Sequence, residues 1–121
     1  MKPFSLLLCL MSFLVCKAAD FRSVDADTFE QVIEDATVIR LDVRTASEYA
    51  QGHIPNALLI DVTQANFMQK AEQLLPKDKT IALYCRSGRR SKTAAQLLAK
   101  QGYQVIELNT GFNSWKGEIE R

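Results

Sequence analysis

Tyr84-Cys85-Arg86-Ser87-Gly88-Arg89-Arg90-Ser91 packs one cysteine, three arginines and one glycine into eight residues. The chemistry such a set can do is nucleophilic attack by a thiolate. A free cysteine ionises at about pH 8.5, and positive charge or a helix N-terminus beside it draws that value towards neutrality or below. Arg86, Arg89 and Arg90 supply the charge. Gly88 lets the backbone turn so that successive N–H groups face inward as a nest for an anion. Buried free cysteines are common and usually inert. Three arginines and a glycine crowded against this one argue for a working thiolate.

Two elements must frame that loop. Thr80-Ile81-Ala82-Leu83 is a short apolar run with the length of a buried strand, and the apolar residues of Lys92 to Lys100 recur at helical spacing. A strand ending at the cysteine and a helix opening just beyond it present the thiol to unsatisfied N–H groups and a partial positive charge.

The remaining chain supplies the scaffold. Phe21 to Val24 reads as a short edge strand. Asp25 to Glu34 reads as a helix, with early acidic residues and an apolar stripe of Phe29, Val32 and Ile33. Val38 to Val43 is β-branched and apolar, a central strand. Thr45-Ala46-Ser47-Glu48 fits a capping box opening a helix through Ala50, which Gly52-His53-Ile54-Pro55-Asn56 breaks. Ala57 to Ile60 is the next strand, and Asn66 to Leu75 a helix that Pro76 ends. Gln104 to Leu108 is the last strand, and Gly111 to Trp115 closes as a turn or short helix. This alternation predicts an α/β fold, a mainly parallel sheet of about five strands with helices on both faces. In such sheets ligands bind beyond the carboxyl ends of strands. Cys85 and Asp42-Val43-Arg44 both follow strands, so they are expected to converge.

Residues 1–18 read as a signal peptide: Lys2 as the positive region, Leu6 to Val15 as the apolar region, and Cys16-Lys17-Ala18 before cleavage. The apolar run falls short of the span of about 20 residues a membrane helix needs. Val15 is bulkier than a lipoprotein signal prefers before Cys16. The expectation is export, to a bacterial periplasm, of a single domain from residue 19 to 121, with no membrane attachment after cleavage. Cys9 and Cys16 leave with the leader, so Cys85 stays as the one thiol and no resolving cysteine accompanies it. A lone thiol in an oxidising compartment suits a relay that hands a group to a separate partner. A net charge of +1 gives no reason to expect nucleic acid or an anionic membrane as partner.

Other residues invite weaker assignments. His53 is the single histidine, and a Cys–His pair is a known way to activate a nucleophile. Asp42 reads as a brace for loop backbone, with Arg44 as its partner. Arg44 also reads as a substrate contact, or as the partner of Glu48 four residues on. Phe112 and Trp115 read as packing.

Taken together, these pieces carry a resemblance. Leu41-Asp42-Val43-Arg44, Glu48-Tyr49 and Gly52-His53-Ile54-Pro55-Asn56-Ala57 are similar to the first signature of the rhodanese family. Tyr84 to Ser91, then Ala94-Ala95 and Leu98, resemble its active-site loop and helix. Gly102-Tyr103, Val105, Leu108, Gly111 and Trp115 resemble its closing segment. The match runs from Phe21 to about Gly117 and is that of a secreted single-domain rhodanese. Asn56 and Thr110 stand where the family often has glycine, and neither lies in the loop.

The resemblance implies thiosulfate sulfurtransferase activity: a Cys85 persulfide formed from thiosulfate or another sulfane-sulfur donor, and discharged to cyanide, a small thiol or a thioredoxin-like acceptor. Arg86, Ser87, Gly88, Arg89 and Arg90, with Arg44, would bind the donor, Arg90 foremost. The Gly-His-Ile-Pro stretch would be a structural turn rather than a catalytic site. No metal or organic cofactor is required, and the oligomeric state is left open. Two rivals use the same parts. A non-turnover sulfur carrier or redox-partner module needs the same nest. Cysteine phosphatases and arsenate reductases also place a thiolate in an anion loop. Their signature has arginine after five intervening residues, where this chain has Ser91, with Arg90 one residue early. The shorter loop fits a sulfur atom better than a tetrahedral phosphate.

Overall fold

The computed structural model describes residues 20–121; the expected leader lies outside them. Five strands form one parallel sheet: β1 (Arg22–Val24), β2 (Ile39–Asp42), β3 (Leu58–Leu59), β4 (Thr80–Tyr84) and β5 (Gln104–Leu108). Their order is β1-β5-β4-β2-β3, so β4 lies at the centre. Between them run α1 (Ala26–Ile33), α2 (Ala46–Gln51), α3 (Phe67–Leu74) and α4 (Arg89–Lys100), with a single helical turn at Phe112–Ser114.

The central position of β4 follows from its residues. Ile81, Ala82, Leu83 and Tyr84 are all fully buried, whereas edge strand β1 exposes Arg22 and Ser23. Alternation along β4 divides the core between the two faces of the sheet. Ile81, Leu83 and then Cys85 pack with Phe67, Ala71, Ala94, Ala95 and Leu98, under α3 and α4. Ala82 and Tyr84 pack with Phe29, Ile33, Ile54 and Leu108, under α1. Each large apolar side chain so buried contributes about 1.5–3 kcal/mol. The thiol's place on the α4 face is thereby set by parity along the strand.

Most element ends shift by a residue from expectation, and two shifts have a clear cause. The helix after the loop begins at Arg89, three residues earlier than its apolar stripe indicates. Arg89 and Arg90 extend it because they are good helix formers, and periodicity cannot register a first turn that faces solvent. The expected strand at 57–60 shortens to the pair Leu58–Leu59 at the sheet edge. Among the described residues no helix is long and apolar enough to cross a membrane.

Candidate active site

Cys85 leaves β4 into the loop, with its side chain fully buried. The Gly88 N–H donates to Sγ at 3.1 Å, and Ser91 Oγ lies 3.5 Å from it. Gly88 caps α4 at φ 101°, and a Cβ there would come within 1.9 Å of the Asn109 carbonyl oxygen. Only glycine gives both that left-handed turn and that approach. Burial pushes the thiol up. Hydrogen bonds offered by the Ser91 side chain and backbone, and by the Gly88 and Ser87 backbones, outweigh it, so the thiol lies below its ordinary value.

The helix start concentrates positive potential. α4 carries no acidic residue in its first turn and two arginines instead, which opposes the helix dipole and is relieved by an anion beside the thiol. Arg89 is exposed. Arg90 and Arg86 both reach across to Glu48. The Arg90 guanidinium forks onto its two oxygens at 2.7 and 3.0 Å, and Arg86 Nε donates at 2.9 Å. The Arg90 hydrogen bonds, against partial burial and with help from Arg86, hold the Glu48 carboxyl well below the usual carboxylate range. Glu48 also completes the expected capping box with Thr45.

Arg44 departs from one expectation. It does not pair with Glu48, and at 3 % exposure it is held chiefly by Asp42 and Gly52. Its Nε donates to Asp42 at 3.0 Å, and its terminal nitrogen donates to Asp42 and to the Gly52 carbonyl, both at 2.7 Å. The guanidinium carbon sits 4.4 Å from the Phe112 ring centroid. Asp42 also accepts from the Arg44 backbone N–H at 2.9 Å, so the acid braces this turn as expected. The arginine is thus braced from within, and it lines a cavity of about 180 Å³ with Glu48, Gln51, Arg86, Phe112 and Asn113. Larger concavities lie elsewhere, one of about 410 Å³ beside Phe21, Thr80 and Gln104 at the opposite end of the strands. None of these is lined by a cysteine.

His53 is structural. It is buried, stacks on Tyr49 with centroids 3.6 Å apart, and holds the Tyr49 carbonyl at 2.8 Å through Nδ1. The closing segment braces the loop from behind: the Phe112 and Asn113 N–H groups donate to the Cys85 and Arg86 carbonyls at 2.8 and 3.0 Å. A Cβ on Gly111 (φ 67°) would come within 2.4 Å of that Arg86 oxygen, so a side chain here would push the loop out of place. Asn56 takes φ 66°, the left-handed conformation that asparagine tolerates in place of glycine.

Two features escape the sequence reading. One is Glu48 as the clamp on the loop arginines, which their distance along the chain conceals. The other is Glu107, fully buried on β5 beneath the loop. The available signal is a carboxylate inside the apolar run Val105-Ile106-Glu107-Leu108, since glutamate is almost never fully buried without partners. Among the described residues no three His, Cys, Asp or Glu side chains come together as a metal site.

With this geometry in place, the likenesses to known proteins are specific. A family model described as "Rhodanese-like domain" matches residues 25–118. A "Sulfurtransferase" of Allochromatium vinosum is 36 % identical over 94 residues, 76 % of this chain and 85 % of that protein. A "Thiosulfate sulfurtransferase GlpE" of Coxiella burnetii is 31 % identical over 87 residues, 71 % of this chain and 78 % of that protein. The crystal structure of a rhodanese-related protein from Thermoplasma volcanium superposes with a TM-score of 0.72 at 26 % identity, over 83 % of this chain and 98 % of the other. A five-stranded parallel sheet that ends in a cysteine loop, matched along nearly its whole described length, makes this chain a member of the rhodanese-like family.

Proposed function

We propose that the chain moves sulfane sulfur from thiosulfate to a thiophilic acceptor through a persulfide on Cys85. The Cys85 thiolate attacks the outer sulfur of thiosulfate. The sulfur–sulfur bond of the donor breaks, and sulfite leaves with the electron pair. The terminal sulfur, now anionic, is held by N–H groups of the loop. Attack on it by cyanide, a small thiol or a thioredoxin-like dithiol releases the Cys85 thiolate again. Arg86, Arg89 and Arg90 attract the dianion and stabilise departing sulfite. The observation that carries this reading is the Gly88 N–H aimed at Sγ from 3.1 Å, at the start of a helix with arginines in its first turn. Action in the periplasm follows if residues 1–18 are removed on export. The N-terminal residue of the secreted chain tests that.

Mass spectrometry after thiosulfate treatment is expected to show one added sulfur on the Cys85 peptide, and Cys85→Ser is expected to abolish both loading and turnover. Thiosulfate and cyanide should give saturation kinetics, faster than a mercaptopyruvate donor does. A chain that loads sulfur but never turns over with a small acceptor is a carrier. Full activity in Cys85→Ser ends the proposal.

A further inference from the structure

Glu107 is used by nothing described so far, yet it is a fully buried carboxylate in direct contact with Ser91, the nucleophile's own partner. It sits on β5 between Ser23 of β1 and Leu83 of β4. Its Oε1 accepts from the Ser23 hydroxyl at 2.5 Å. Its Oε2 accepts from the Ser91 hydroxyl at 2.5 Å, and the Lys92 ammonium lies 3.2 Å from the same oxygen. Ser91 is itself fully buried and lies against Cys85 Sγ. The three groups therefore form a chain, Sγ to Ser91 Oγ to Glu107 Oε2, closed from solvent at both the serine and the carboxylate. Ser23, Ser91 and Lys92 are the polar side chains that meet Glu107, and Lys92 is the one charged group among them.

A hydroxyl has one hydrogen to give. While Ser91 gives it to a Glu107 carboxylate, it can only accept from Cys85, which suits a protonated thiol. While Ser91 gives it to a Cys85 thiolate, it can only accept from Glu107, which suits a protonated carboxyl. Each arrangement is satisfied, and each puts the single negative charge at one end.

We propose that Glu107 is a positioning residue that takes the Cys85 proton through Ser91, so that thiolate and carboxylate are alternative sites for one buried charge. In the step, the S–H proton passes to Ser91 Oγ as the Ser91 hydroxyl proton passes to Glu107 Oε2. One S–H and one O–H bond break, two O–H bonds form, the negative charge passes from Glu107 to Cys85, and the total charge of the three groups is unchanged. The reverse shift returns the proton when the thiol is resting. Lys92 at the Glu107 end favours the resting arrangement, whereas loop N–H groups and the helix start favour the thiolate. An approaching anionic donor disfavours a thiolate, and the relay lets the enzyme expose that charge only at the moment of attack. This inference rests on Cys85 being the nucleophile of the proposed sulfur transfer, but its test reads protons rather than turnover.

Two coupled sites lose their protons in two shared steps. In the wild-type chain the thiolate absorbance near 240 nm is expected to rise in two steps with pH. The infrared band of a protonated carboxyl is expected to fall in the same two. Alkylating Cys85 should convert that band to carboxylate at intermediate pH, because the shared proton has then gone. Glu107→Gln should collapse the thiolate rise to one step and remove the band, and Ser91→Ala should uncouple the two signals. Ser91→Thr, which keeps the hydroxyl, should restore the coupling. A single-step thiolate rise in the wild type, with no carboxyl band that responds to alkylation, overturns the proposal. That measurement needs no variant to fold. Sulfur loading that persists alongside such a result would refute the relay and leave the transfer reading intact.

Discussion

Two arginine clusters stand within a few residues of the same cavity and teach opposite lessons. Asp42 and Arg44 are buried, at 0 % and 3 % exposure, and Nε and one terminal nitrogen of Arg44 donate to Asp42 and to the Gly52 carbonyl. Glu48 holds Arg86 and Arg90 at the rim, where those arginines keep 56 % and 29 % of their side-chain surface. The pairs have the same chemistry and different partners from water. A buried guanidinium bound to a buried carboxylate is an internal brace, whose loss strands a charge. A rim guanidinium shared between a carboxylate and solvent is held in place yet can turn to an incoming anion.

The strongest contrast should come from Arg44→Ala. Leaving Asp42 buried without its partner should cost about 3–5 kcal/mol of stability, read from urea unfolding. Against a total of about 5–15 kcal/mol that is a large fraction. A loss below about 1 kcal/mol would mean that the two clusters do not differ in kind. Arg90→Ala should do the reverse. It should lower kcat/KM for thiosulfate about tenfold, equivalent to about 1.4 kcal/mol, while changing stability by less than about 1 kcal/mol. Glu48→Gln releases both rim arginines, and the Michaelis constant for dianionic thiosulfate should fall a few-fold, with steeper dependence on ionic strength. An unchanged constant would show that the clamp does not compete with the donor.

The smallest effect is the pH dependence of the rim. Glu48 lies well below its ordinary value of 4.5 in the folded chain, chiefly through Arg90, so its pairing contributes fully above that value. The contribution is lost as the pH falls from there through the depressed folded value. The unfolding midpoint of the wild type should therefore decline more steeply below about pH 4.5 than that of Glu48→Gln, by less than about 1 kcal/mol for a rim pair. Equal slopes would remove the carboxylate from the account.

Local patterns in the sequence made most of the scaffold readable. The capping box at Thr45 and Glu48 formed as its spacing indicates, and the apolar run of β4 became a buried strand; the central place expected of 38–43 fell to β4, with β2 beside it. The Cys85 loop was legible because its signals are adjacent: glycine, arginines and a helix within eight residues. The contacts that decide each charged residue's task were not. Arg44 and Glu48 are four apart, a spacing that pairs residues within a helix, but Arg44 precedes α2 and its chain turns inward to Asp42. Arg90 finds Glu48 from 42 residues away, and Ser91 finds Glu107 from 16.

What the chain of amino acids determined unaided is the kind of chemistry: a thiol placed by residue type and short-range spacing where backbone N–H groups and positive charge favour its anion. Short-range spacing survives folding because bond geometry limits where near neighbours can go. Only the folded sheet decided which carboxylate meets which cation. The parallel order β1-β5-β4-β2-β3 carries Glu107 beneath the loop, and the α2 start brings Glu48 to its rim. Crossover connections, rather than separation along the chain, set those distances.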